Sequence, residues 1–221
     1  MTQIVAIAQW DIQNITKSLM LNSDAVIRRY ATDIKIYESD KIYVAEDIVI
    51  TIIDKDIFER LVLSWIVNDS IFGRYVSVKL YNTNGKKIKS REDLIYDSFE
   101  KMNNGKVFEF SKGDPNLMIP FTIELEYKRR LHSIEELRSW IPLKNYRVSI
   151  QNASLRIACV DTTIIEIKST NVPFVNKSVD EDGYSVKLWE LNNFQAINKI
   201  TYEELNHHHQ LPTICLEKIN K

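Results

Sequence analysis

The chain has 221 residues, 44% of them hydrophobic and 27% charged, a balance that excludes wholesale disorder and suits one large β domain or two small ones. Its 29 Lys and Arg stand against 30 Asp and Glu, so a formal charge of -1 offers no global pull toward nucleic acid or an anionic membrane. Only five glycines and five prolines are present, which points to long strands joined by Asn, Asp, Ser and Lys loops.

The N-terminal apolar stretch, residues 4–8, lacks a basic flank and is too short for a secretory signal, so no signal peptide is expected in this chain. No apolar run approaches the roughly 18 residues of a membrane helix. From there the dominant signal is alternation of period two in β-branched and aromatic residues. Residues 25–37 (AVIRRYATDIKIY) set Tyr30, Ile34 and Ile36 on one face of a strand whose other face is wet. After the turn Glu38-Ser39-Asp40, Ile42, Val44, Ile48, Ile50 and Ile52 alternate with mostly polar residues, which predicts a long antiparallel hairpin. The alternation slips at 45–47, where a β-bulge is expected. Residues 58–67 fit helix or strand, and the cleaner alternation of Leu61, Leu63, Trp65 and Val67 favours strand.

Strand 75–81, the turn Asn82-Thr83-Asn84-Gly85 and strand 86–89 form a second hairpin, since Asn-Gly tolerates positive φ. Residues 90–106 are polar, with a short helix expected over 93–101, and 106–110 is a short strand. After a loop at 112–116, strand 118–128 carries Phe121, Ile123, Leu125 and Tyr127 on one face and Thr122, Glu124 and Glu126 on the other. Ser133 followed by Glu135-Glu136 resembles an N-cap with an acidic first turn, which predicts a helix over 132–140, ending before Pro142. Strands follow at 146–150, 154–160, 163–168 and 185–191, and residues 192–221 read as a loosely attached tail. Many strands without β-α-β alternation exclude the doubly wound and α/β-barrel enzyme folds. The expected fold is all-β: an antiparallel β-sandwich with one or two short helices, as a single module over 1–221 or two sub-sandwiches divided near 140–146.

Nucleophilic catalysis needs a Cys or Ser held beside a base and an orienting group. Cys215 follows His207-His208-His209, but in a polar tail without strand-turn-helix context, so no catalytic residue is assigned. Three adjacent histidines cannot all face one ion from a strand or helix, and His132 is solitary, so no metal or cofactor site is assigned either. Glu124 and Glu126 share the polar face of a strand, and Glu135-Glu136 open a turn. Asp180-Glu181-Asp182-Gly183 resembles half of a calcium loop without its terminal bidentate Glu. The basic clusters Lys86-Lys87 and Lys128-Arg129-Arg130 lack the interleaved aromatics of a nucleic-acid platform. Most aromatic residues fall on apolar faces; Tyr75, Tyr81 and Trp189 are those a sugar- or peptide-binding groove would use. Cys159 and Cys215 permit one disulfide without implying it, and buried thiols are the plainer reading.

Ser23-Asp24-Ala25-Val26-Ile27-Arg28 is similar to the ADAVVR strand, and Tyr81-Asn82-Thr83-Asn84-Gly85-Lys86-Lys87-Ile88 to the YDANGKKI hairpin, of the N-terminal domain of bacterial transglutaminase-like proteins. Residues 120–127 (PFTIELEY) and Ser139-Trp140-Ile141-Pro142 resemble PYTIEYEY and SWYP. Toward the end, Trp189-Glu190-Leu191-Asn192-Asn193-Phe194 and Leu211-Pro212-Thr213-Ile214 resemble WELKNLPA and LPTVYLAP. The resemblance implies an immunoglobulin-like or related large sandwich at the periplasm or cell surface, followed in longer homologues by a cysteine-peptidase-like transglutaminase domain. That domain's Cys-His-Asp machinery would lie beyond Lys221, so the resemblance carries over no catalytic residue. It implies a non-catalytic accessory or interaction module whose partner is the transglutaminase-like domain. A stand-alone carbohydrate- or peptide-binding sandwich is the alternative, and a hydrolase built on Cys215 a third; no nucleic acid, membrane insertion or cofactor is expected.

Overall fold

The computed structural model describes residues 8–57, 75–93, 118–137, 139–143, 145–160, 165–171, 177–181, 183–207 and 209–218. The strand expected at 58–67, the helix at 93–101 and the strand at 106–110 lie outside those residues, apart from residue 93, which ends a strand. The described chain is mainly β. A short helix α1 (Lys17–Met20) precedes β1 (Ala25–Glu38), β2 (Lys41–Ile52), β3 (Tyr75–Tyr81), β4 (Lys87–Asp93) and β5 (Phe121–Leu131). Then come β6 (Val148–Cys159), β7 (Ile165–Thr170), β8 (Lys177–Glu181), β9 (Tyr184–Phe194), helix α2 (Lys199–His207) and β10 (Thr213–Lys218). Eight strands form one sheet in the order β4-β3-β5-β2-β1-β6-β9-β8, and β10 pairs with β7 in a second, two-stranded sheet.

The expected hairpin of the first two strands is present, with register running from Ala25↔Ile52 to Glu38↔Lys41. Its irregularities differ from the expectation. Register is continuous through 45–47 (Asp33↔Ala45, Thr32↔Glu46, Ala31↔Asp47), and the extra residues are Arg28 and Tyr37 on the opposite strand. The sequence slip arises because Glu46 occupies a core-facing position, 6% exposed, where an apolar residue would continue the pattern. Tyr30 Oη and Thr32 Oγ1 each donate to its Oε1, at 2.9 and 3.1 Å, and Trp140 Nε1 donates to Thr32 Oγ1 at 3.2 Å. A hydrogen-bonded carboxylate is tolerated inside where a bare one is not.

The expectation of a purely antiparallel arrangement is corrected. β1 pairs with β6 in parallel, Ala25↔Val148 through Ile36↔Cys159. Alternation along a strand reports which face is wet but not which way the neighbour runs, so this was invisible in the residues. The pairing also joins strands from both sides of 140–146 into one sheet.

The segment expected as helix 132–140 holds only a 3-10 turn, Ile134–Glu136, and Ser133 makes no side-chain cap bond. Packing overrides the local signal. Trp140 exchanges backbone hydrogen bonds with Ile214 (2.8 and 2.9 Å), its ring lies 5.8 Å from Tyr30, and both residues are buried. The tail, expected to be loose, is built in: Leu211, Ile214 and Leu216 are buried, and Tyr202 and Leu205 of α2 pack on the same cluster. That cluster fills one face of the large sheet with Ile34, Ile36, Ile48, Ile50, Ile123, Leu155 and Trp189. Among the described residues, one end of the opposite face is covered where Ile15 and Leu19 pack on Val26 and the hydroxyls of Ser23 and Ser149 both donate to Leu19 O at 2.6 Å.

With few glycines, asparagine takes part of the left-handed backbone among the described residues. Asn22, Asn171 and Asn193 have φ of 60°, 48° and 54°, a region asparagine tolerates better than most residues.

Candidate functional site

The face of the large sheet turned away from the core is read row by row across the strands. One row is Arg29↔Val49↔Glu124↔Lys79, the next Ala31↔Asp47↔Glu126↔Ser77. Glu124 is the hub of this half. Its carboxylate accepts from Tyr81 Oη at 2.6 Å, Trp10 Nε1 at 3.1 Å and Lys79 Nζ at 3.3 Å. Lys79 also bonds Glu126 at 3.0 Å, and Arg29 closes the group on Asp47 at 2.6 Å. The bulge at Arg28 turns two successive side chains the same way, so Arg28 and Arg29 both stand over the Trp10 ring, 5.3 and 5.0 Å from its centre.

Burial pushes Glu124 upward, but the hydrogen bonds from Tyr81, Lys79 and Trp10 and the Lys79 charge outweigh it and hold the carboxyl below its usual range. Burial and the Glu124 contact push the Tyr81 phenol up to about 12, so it is a donor at any ordinary pH. Burial holds Asp47 above the carboxylate range despite Arg29. Every acid of this group has a cation beside it, and the group ties the N-terminal segment to the sheet. Gly85 lets that segment approach: its φ is 72°, and a Cβ there would sit 2.5 Å from Asp11 N.

Farther along the same face, toward the β1–β2 turn, the rows Asp33↔Ala45↔Lys128 and Lys35↔Tyr43↔Arg130 enclose a groove of about 240 Å³. Ala45 offers a single methyl between longer side chains, which makes the depression. Asp33 is paired with Arg156 at 2.9 Å. Tyr43, 40% exposed, meets the edge of Tyr37 at 5.6 Å and lies under Arg130 at 6.0 Å. Tyr37 in turn meets Tyr184 at 5.8 Å and carries Lys41 over its ring at 5.4 Å. Three tyrosines and several cations therefore cluster at this end of the sheet.

The structure disperses most sequence candidates. Trp189 is core, Tyr81 is committed to Glu124, and the Tyr75 side chain lies outside the described residues. Cys215, half-buried on β10, has its Sγ 3.1 Å from Ser139 Oγ, and Cys159 is buried on β6; no disulfide joins them. His207 ends α2 and His209 follows it at φ 52°, while His208 is outside the described residues. The half calcium loop is a hairpin, Glu181↔Tyr184, with Gly183 at φ 85° in the turn. Among the described residues no group of three His, Cys, Asp or Glu side chains is placed to hold a metal ion, and no helix is long and apolar enough to cross a membrane. Sequence reasoning noted Lys128-Arg129-Arg130 as basic without aromatics, whereas the aromatic Tyr43 comes from the neighbouring strand. Cross-strand register was the missing signal.

No protein-family model matches the chain, and no curated protein sequence does. Among solved structures it is similar to one named a "putative protease from Parabacteroides distasonis", with a TM-score of 0.57 and 10% identity. The likeness covers 87% of this chain and 40% of that one, so the chain spans less than half of that protein's length. At this identity the likeness is one of fold.

Proposed function

We propose that this chain is a non-catalytic accessory module of β-sandwich, immunoglobulin-like build that precedes a transglutaminase-like peptidase domain in an exported protein of the periplasm or cell surface. The observation that carries the reading is the coverage of the fold match: nearly all of this chain corresponds to well under half of a longer protein named as a protease. The packing of the small sheet and α2 on one face of the large sheet supports the two-layered build. The reading frame that encodes the chain tests it. A Cys-His-Asp domain encoded after Lys221 is expected; a frame with no such domain in this protein or its near homologues would sink the proposal.

The hydrolase alternative centres on Cys215 and has its own test. Iodoacetamide is expected to modify the half-buried Cys215 at the slow pace of an ordinary thiol, and the buried Cys159 only on unfolding. Rapid, stoichiometric labelling by a thiol probe, lost in Cys215→Ala, would restore the catalytic reading. A peptide- or glycan-binding role is the second reading, and the groove around Ala45 is the observation that favours it.

A further inference from the structure

We propose that the groove floored by Ala45 docks an acidic polypeptide segment. The inference rests on the second reading above and gives it a ligand class. Three observations carry it: the division of charge on the sheet face, the shape of the groove, and the covering of its aromatic ring.

At the Trp10 end the acids Asp47, Glu124 and Glu126 are matched by Arg29 and Lys79. Toward the β1–β2 turn the balance tips. Asp33 already holds Arg156, while among the described residues Lys35 and Arg130 take part in no ion pair. The planar guanidinium of Arg130 suits a carboxylate on two donors at once. A sheet face with surplus positive charge around a depression attracts a negative ligand.

The groove lies across β1, β2 and β5. Lys35 and Arg130 flank Tyr43 in one row, two strand spacings apart, so about 10 Å separates their backbones. Carboxylates two or four residues apart on an extended chain share one face, roughly 7 or 13 Å from each other, a range that the long Lys35 and Arg130 side chains bracket. The Tyr43 ring has Arg130 over it and the Tyr37 ring meeting it edge to face, so little open ring face is left for a sugar to stack on. The chemistry therefore favours side-chain carboxylates of a peptide over a carbohydrate.

Fluorescein-labelled hexaglutamate, followed by anisotropy with the full chain, tests this. Binding is expected at low salt and should weaken steeply toward ~0.3 M, where exposed charges are largely screened. Lys35→Ala with Arg130→Ala should weaken it tenfold or more, and Ala45→Leu, which fills the depression, should do the same. Lys17→Ala, on a covered part of the same face, should leave it unchanged. No anisotropy change at low salt, or equal binding by the double variant, overturns the proposal. So does tighter binding of an oligogalacturonate of equal charge, which would assign the groove to an acidic sugar. If Ala45→Leu does not fold, the exposed Lys35→Glu decides in its place. The reading-frame test is independent, so a failure here and a failure of the accessory-module reading are told apart.

Discussion

Two carboxylates show how the same residue type serves opposite faces of one sheet. Glu46 points into the core and stays there because Tyr30 and Thr32 donate to it. Glu46→Ala leaves those hydroxyls buried without their acceptor, and urea denaturation is expected to show a loss of about 2–3 kcal/mol. Glu46→Gln, which keeps an acceptor oxygen, should lose less. Glu124 faces outward and is held below the usual carboxylate range, so its contribution to stability is complete above the unfolded-state value and fades as pH falls through the lower folded one. Glu124→Gln is therefore expected to be destabilised at pH 7, with the gap to the parent closing in acid. Asp47 has the opposite sign: its raised folded value gives stability in acid that is lost as pH rises through the carboxylate range. A gap that widens as pH falls would contradict the assignment to Glu124.

At the scale of elements, the turn between β3 and β4 carries a sharp prediction. Gly183 and Gly85 both have positive φ, but a Cβ on Gly183 meets nothing within 4 Å, while one on Gly85 collides with the Asp11 and Trp10 backbone. Gly183→Ala should cost about 1–2 kcal/mol from backbone strain alone. Gly85→Ala should cost more and free the N-terminal segment, seen as a red shift in fluorescence of Trp10 and faster proteolysis near residue 12. Elements of this kind were legible in the sequence: both hairpins, the β5 faces and the Asn-Gly turn follow from alternation and turn chemistry. What local pattern could not supply is what distant residues decide. The 132–140 segment carries helix signals yet is stretched across the core by Trp140 and Ile214. The tail lacks a long period because Leu211, Ile214 and Leu216 need only a short strand to reach the core. The groove was illegible for the same reason, since its walls come from three strands aligned only by register.

For the whole molecule, the last strand is a structural member. Ile214 is fully buried, so Ile214→Ala is expected to lose about 2–5 kcal/mol of stability. Ile200→Ala on α2, where the side chain is 69% exposed, should fall within ~0.5 kcal/mol of the parent. Equal midpoints for the two variants in urea would mean that β10 does not share the core.

The parallel ladder between β1 and β6 carries a consequence for biogenesis. A ribosome delivers β1 early and β6 much later, and until β6 arrives one rim of β1 has no mate for its amide and carbonyl groups. Because the unmatched rim lies at the centre of the finished sheet, nascent chains halted before Val148 present a sticky template to one another. Slow synthesis through residues 53–147 would prolong that vulnerable interval, and a chaperone that shields the rim of β1 would shorten it.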